Sequence, residues 1–398
     1  TEDGVKFYDF NPVIDRWLVA SPMTYLHTLG AGGGSIARYD RLWGAVEVGP
    51  ESAGSDPGPA CYGRGGKFPT TTDANLVLGY LDPDNYAGGT IKVSLRRAER
   101  SIEEHVGKPA GLSLIDAAKA IKRKVDANMA NAIFKEVAIK GYDPKDFVIL
   151  SYGGGGPIHA CGYASEIGVS RILIPPFSSV FSALGAGNMD QLHIHEKSLY
   201  LMLYDATFRT VLEDYTVFND TVVELEQRGR DDLIRQDVPG EKIRTRLEMD
   251  MRYGNQLAQV SVVSPVDRLM EPKDVISILD GFSVNYATRF GEGSQAPEAG
   301  VRINVIRVVS YVEHEKLTLE QSNASVEDRP TARTNRDCFF PQHDDAFSTP
   351  VYDHFDVVEG MHVVGPAIIE TPRTTYLVEP GWKLHMGRLG SAVMEKES

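Results

Sequence analysis

The segment from residue 147 to residue 176 constrains the fold more than any other. Phe147-Val148-Ile149-Leu150 is a short apolar run that ends in Ser151-Tyr152-Gly153-Gly154-Gly155-Gly156-Pro157. A helix is expected from about Ile158 to Ile167. Arg171-Ile172-Leu173-Ile174, before Pro175-Pro176, reads as a second buried strand. Strand, helix and strand in that order build α/β sheets. In such sheets ligands bind in the loops at the carboxyl ends of the strands, which is where Gly153 to Pro157 falls.

A long helix is expected to precede this unit. Leu114, Ala117, Ile121, Val125, Met129, Ile133 and Val137 recur every three or four residues, so they share one helical face. Ser113, with Asp116 three residues on, caps its start, and Gly141 follows as a terminating glycine. After about Tyr200 the texture changes. A helical stripe is expected at Phe208, Val211, Tyr215, Phe218, Val222 and Leu225. Period-two alternation over Leu247, Met249, Met251 and Tyr253 predicts a half-buried strand, with Gly254-Asn255 as a two-residue hairpin turn before Leu257 to Val263. A helix near Val275 to Phe290, a strand near Val305 to Val312, a polar connection over about 322–345 and a small β-rich cap over 351–394 complete the expectation. The 398 residues exceed what one core usually supports. We expect a division into residues 1–199 and 200–398.

The net charge of −14 argues against nucleic acid and anionic membranes as partners, since both attract basic surfaces. No apolar run reaches the roughly 18 residues of a membrane span. Cys61, Cys161 and Cys338 are too sparse for a disulfide framework, which fits a reducing cytoplasm. The chain opens at Thr1 without a methionine, as a processed or partly observed polypeptide would.

Three further stretches invite chemistry. Gly30-Ala31-Gly32-Gly33-Gly34-Ser35 could let backbone N–H groups approach phosphate oxygens, or simply let chain segments pack closely. It is neither a Walker A loop nor a dinucleotide fingerprint. The glycine- and proline-rich stretch from Gly49 to Gly66 is long and stiff, a pattern more typical of functional loops than of linkers. Beside it, His27, Cys61 and Asp73 form a candidate Zn²⁺ ligand set; the alternative is a buried thiol and an aspartate capping the helix from Ala74. His193 and His195 could share one side of a strand, and His159 begins a helix beside the second glycine loop.

Taken together, His27 to Ala37, Gly49 to Gly66, Thr70-Thr71-Thr72-Asp73-Ala74-Asn75-Leu76-Val77-Leu78-Gly79 and Ser151 to Ala160 resemble the hydantoinase A, 5-oxoprolinase and acetone (acetophenone) carboxylase family in order and separation. Tyr253-Gly254-Asn255-Gln256, Gly365-Pro366-Ala367-Ile368-Ile369-Glu370, Thr375 and Pro380-Gly381-Trp382 extend the resemblance over nearly the whole chain. It implies part of an α/β ATPase module of the actin, Hsp70 and sugar-kinase type, followed by an α+β accessory domain with the β-rich cap. It implies ATP with Mg²⁺ as cofactor, with Gly153, Gly154, Gly155 and Gly156 on the adenosine side and Gly32, Gly33 and Gly34 as further nucleotide contacts. The two Asp-x-Gly-Gly-Thr phosphate motifs of that fold are absent here, so a polypeptide carrying the N-terminal lobe is an implied partner. So is a hydantoinase B-like subunit. The implied reaction is ATP-dependent activation of a small-molecule carbonyl, as in a ketone carboxylase or a cyclic amide hydrolase. A non-catalytic assembly subunit of such a complex is the alternative.

Overall fold

The computed structural model describes residues 26–139, 141–317 and 330–397, together with 8–9, 12–14, 16–19 and 23–24. The chain divides into two compact units that do not follow its order: one joins residues 26–187 to 318–398, the other joins 1–25 to 188–317. The expected boundary at residue 199 is therefore crossed, because the C-terminal strands return to the first half.

The reason lies in strand Arg171–Ile174. It pairs in parallel with Ile149–Leu150 across the expected connecting helix, observed as Gly156–Ile167. Its other edge still needs hydrogen-bond partners, and Ala392–Lys396 supplies them antiparallel. Trp382–Met386 and His362–Val364 extend this sheet to five strands. Four more strands, Thr334–Phe339, Ala346–Asp353, Ala367–Glu370 and Thr375–Val378, form a second sheet in the same unit. These strands build shared cores: Cys338, Phe340, Val351, Ile368 and Leu377 pack with Leu76, Ile121 and Val125, while Trp382, Leu384 and Met394 pack with Cys161, Ile172 and Ile174. At about 1.5–3 kcal/mol for each large apolar side chain buried, the strands expected as a small β-rich cap are integral to the unit.

Part of the polar connection expected over 322–345 lies outside the described residues. The remainder contains strand Thr334–Phe339, whose Cys338 is fully buried. The long helix runs Leu114–Ala138, capped by the Ser113 hydroxyl, which accepts from the Asp116 N–H.

In the other unit, Thr210–Val211, Gln191–Asp205, Val301–Val312, Arg244–Tyr253 and Val260–Val263 form one antiparallel sheet. Leu247, Met249, Met251 and Tyr253 point inward as their alternation predicts, against Phe218, Val222 and Leu225 of helix Thr216–Ile234 and Val275, Ile278 and Phe282 of helix Pro272–Phe290. Two local expectations fail. Phe208 is exposed in a turn held by the Asp205 carboxylate, and the helix begins only at Thr216. Gly254-Asn255 is not a two-residue hairpin turn, because Met251 pairs with Val260 and leaves a longer loop with Leu257 at its surface. Among the described residues no helix is long and apolar enough to cross a membrane.

Candidate functional site

All the glycine-rich stretches lie in the unit formed by residues 26–187 and 318–398. The loop 153–156 leaves strand Ile149–Leu150 and opens helix Gly156–Ile167. Gly153 has φ +91°, a left-handed conformation that favours glycine. Gly154 and Gly155 are not demanded by crowding: among the described residues a Cβ on Gly155 would meet nothing within 4 Å, and one on Gly154 only the Arg373 carbonyl at 3.8 Å, whereas one on Gly156 would come within 3.3 Å of the Ser151 hydroxyl. The loop is tied down from one side. Gly153 N–H donates to the Ser178 carbonyl (2.8 Å). The Thr374 hydroxyl lies 3.3 Å from the Gly153 carbonyl and 3.0 Å from that of Gly154. In trans peptide units N–H and C=O point oppositely, so the N–H groups of Gly154 and Gly155 face away from Thr374. Gly154 also borders a cleft of about 120 Å³ lined by Asp82, Asn85, Tyr86, Glu370, Thr371 and Thr374.

The loop 30–34 is built on the opposite principle. A Cβ on Gly30 would fall 2.6 Å from Pro50, one on Gly33 2.9 Å from the Thr72 hydroxyl, and one on Gly34 2.8 Å from the Ser52 hydroxyl. The Gly33 carbonyl accepts from both the N–H and the hydroxyl of Thr72, each at 2.9 Å. Gly32 exchanges hydrogen bonds with Ser35.

The candidate zinc ligands are not brought together. The buried Asp73 carboxylate accepts from the N–H groups of Ala60 (3.2 Å), Cys61 (2.7 Å) and Thr70 (2.8 Å) and from the Thr70 hydroxyl (2.9 Å). It thereby closes a capping box on helix Thr71–Val77 and pins the preceding loop. Burial, reinforced by the neighbouring Asp73 charge, pushes the Cys61 thiol far above its ordinary range, whereas zinc requires a thiolate. His27 is exposed and faces Glu136 at 3.6 Å. Among the described residues no group of three His, Cys, Asp or Glu side chains could hold a metal ion. These residues do not fit zinc. His193 and His195 do share one face of their strand, and both approach Asp232, at 3.9 and 2.8 Å.

His159 is neither exposed nor aimed into open space. It is buried, with Nδ1 2.6 Å from Asp126 Oδ1 and Nε2 3.1 Å from Asn75 Nδ2. Asp126 in turn meets the fully buried Lys122 ammonium, which also donates to Glu379 at 3.2 Å. Burial alone would lower the Lys122 pKa, but Asp126 and Glu379 together raise it and hold the ammonium charged. Burial raises the Glu379 carboxyl, outweighing the attraction of Lys122. The sequence reading missed this group. Lys122 and Asp126 stand next to Ile121 and Val125 of the apolar stripe, an i,i+4 pair on the buried face, and that adjacency was the available signal.

Two family models match the chain: hydantoinase/oxoprolinase over residues 3–195 and the hydantoinase/oxoprolinase C-terminal domain over residues 206–389. The chain belongs to the hydantoinase/oxoprolinase family. It is 35% identical to the acetophenone carboxylase gamma subunit of Aromatoleum aromaticum over 99% of its own length and 54% of that protein's. The crystal structure of an ATP-dependent caprolactamase from Pseudomonas jessenii superposes with a TM-score of 0.79 at 29% identity, covering 98% of this chain and 56% of the other. A nucleotide-free acetone carboxylase shares the mixed α/β fold with a TM-score of 0.80 at 24% identity, covering 97% of this chain and 55% of that one. The chain spans about half the length of the relatives it matches.

Proposed function

We propose that this chain is part of an ATP-dependent enzyme that activates a carbonyl by phosphorylation, with an acetone- or acetophenone-type ketone as the preferred substrate class. The observation that carries the reading is the openness of Gly154 and Gly155: glycines that no close contact requires, at the carboxyl end of a strand and the amino end of a helix, fit a loop that a ligand must approach closely. ATP with Mg²⁺, when bound, would transfer its γ-phosphoryl group to an enolate or carbonyl oxygen and so provide a good leaving group. This chain's part is on the adenosine side. Thr374 fixes the peptide planes of the loop, and Gly154 and Gly155 present their N–H groups. The cleft beside Gly154 is small against the roughly 300–1,000 Å³ of a complete small-molecule site. It makes one wall of an actin-like nucleotide cleft, and a further polypeptide segment carrying the phosphate motifs completes it. The 35% identity to an acetophenone carboxylase subunit favours the ketone. The caprolactamase likeness supports a second reading, ATP-dependent opening of a cyclic amide. A hydantoinase B-like partner, an assembly with other chains and a cytoplasmic setting, consistent with three free and buried cysteines, belong to the same proposal.

Thermal stability of the intact native assembly, measured with and without ATP·Mg²⁺, tests the nucleotide reading. A ligand at one hundred times its Kd stabilises by about 2.7 kcal/mol. Gly155→Val, whose Cβ enters open space at a negative φ of −113°, is expected to cost the ligand-free protein about 1 kcal/mol, as an N-cap glycine replaced by a β-branched residue, and to abolish the ATP shift. Absence of any ATP shift in wild type would sink the catalytic reading and leave the assembly-subunit alternative.

A further inference from the structure

Helix Thr71–Val77 is seven residues long and entirely buried, yet polar side chains on it reach two of the glycine-rich stretches and the helix that the third one opens. Thr72 holds the Gly33 carbonyl through both its N–H and its hydroxyl. Asp73 gathers the N–H groups of Ala60 and Cys61 at the end of the glycine- and proline-rich loop. Asn75 meets His159, on the first turn of the helix that loop 153–156 opens. Buried polar groups are costly unless they are paired. Packing alone could have anchored so short a helix with apolar residues, as it does through Leu76 and Val77.

The far side of His159 is equally fixed. Its Nδ1 lies 2.6 Å from Asp126, which is held in place by Lys122, itself bonded to Glu379 just beyond strand Thr375–Val378. Gly162, one turn on from His159, permits this: a Cβ there would lie 2.1 Å from Asp126 Oδ2, so only glycine lets the long helix approach. His159 is thus clamped between Asn75 and Asp126, and its helix cannot shift without breaking one contact or the other. The clamp is tight but incompletely satisfied, because the Asn75 amide oxygen is buried without a partner among the described residues. With the amide nitrogen toward the ring, Nε2 accepts and the ring proton sits on Nδ1, facing Asp126.

We propose that Asn75 and His159 are positioning residues for the loop 153–156, and that helix Thr71–Val77 is the common beam holding the three glycine-rich stretches in one register. Neither residue touches the proposed ligand; both act through the backbone they fix. The assignment of the loop as the nucleotide contact rests on the proposed function, whereas the mechanical link does not.

The experiment measures backbone amide hydrogen exchange and steady-state kinetics on the intact native assembly carrying Asn75→Leu, an apolar replacement of similar size, and in parallel His159→Gln. In the ligand-free protein, exchange is expected to quicken at least tenfold in segment 153–160 and to rise in 30–36 and 58–63, while core strand residues 367–378 stay protected. With ATP, KM is expected to rise about tenfold or more with kcat changed less than threefold. The His159→Gln variant, whose single amide retains a donor and an acceptor but not the imidazole span from Asn75 to Asp126, should fall between Asn75→Leu and wild type. Unchanged exchange at 153–160 in Asn75→Leu overturns the proposal, and so does a uniform loss of protection that includes 367–378, since that marks a merely structural role. Should Asn75→Leu fail to accumulate as folded protein, His159→Gln gives the same readout. If wild type shows no ATP dependence at all, the functional reading fails, while the exchange data still decide the mechanical one.

Discussion

Two loops of nearly the same composition, 30–34 and 153–156, carry glycine for opposite reasons. In the first, Gly30, Gly33 and Gly34 sit where a Cβ would strike a neighbour at under 3 Å, and among the described residues only one on Gly32 would meet nothing within 4 Å. In the second, Gly154 and Gly155 face space that a Cβ could occupy. A glycine run is therefore not one signal but two: close approach of the chain to itself, or room left for something else. Only measurement of what a methyl group costs at each position separates them, and the two loops predict opposite results in the same protein.

The largest effect is expected at Gly49, on strand Ala45–Ser52, which presses against the first loop. Its φ is +70°, and a Cβ would lie 2.0 Å from the Gly30 carbonyl oxygen. Overpacking costs about 1–3 kcal/mol and the left-handed conformation about 1–2 kcal/mol more for a non-glycine residue, so Gly49→Ala should destabilise by about 3 kcal/mol in chemical denaturation. A loss under about 1 kcal/mol would mean that the first loop is not tightly packed, and the contrast would collapse.

Gly34→Ala should cost less, about 1–2 kcal/mol, because the atom it meets is the Ser52 hydroxyl and not backbone. The double variant Gly34→Ala with Ser52→Ala removes that oxygen and should recover at least half of the loss. Failure to recover would place the strain elsewhere in the loop.

How much of this was legible depended on the range of the interactions. The order strand, glycine loop, helix and strand over 147–174 could be read because each element is local and each boundary carries its own residue, Gly153, Pro157, Gly168 and Pro175; the first strand, expected buried over Phe147 to Leu150, is only Ile149–Leu150, and Val148 and Leu150 are exposed. The zinc reading of His27, Cys61 and Asp73 failed because Asp73 answers a local need, the orphan N–H groups of Thr70, Ala60 and Cys61, and its alternative role as a cap was already visible in Thr70-Thr71-Thr72-Asp73. The buried charges were not legible in the same way. Lys122 and Asp126 betray themselves only by standing beside Ile121 and Val125, while Glu379 is brought from the far end of the chain, and no periodicity announces a contact of that range. The same holds for Thr374, whose grip on Gly153 and Gly154 depends on strand Thr375–Val378 returning to the first half. Phe208 misled because its spacing continued a stripe that the Asp205 turn interrupts.

The difference between the loops extends to what lies beneath them. The first is held by bonds among hydroxyls and peptide groups, with no titrating side chain in its contacts to Thr72 and Ser35. The helix behind the second rests through His159 on Asp126, Lys122 and Glu379. Burial raises the folded-state pKa of Glu379 above its ordinary value, so its contribution to stability is fully present below the ordinary carboxylate pKa and is lost as pH rises through the raised one. Glu379→Gln keeps the shape and removes the titration. The stability of the variant minus that of wild type should therefore increase as pH rises across that window. At the upper end of the window the variant should equal or exceed wild type, since at that pH wild type buries two carboxylates against one ammonium. Amide exchange sharpens the test. In wild type, segment 153–160 should lose protection with rising pH beyond the intrinsic chemical rate, segment 30–36 should not, and the substitution should erase the difference. A pH response shared equally by both segments would show that the buried charges stabilise the unit as a whole, without privileging the open loop.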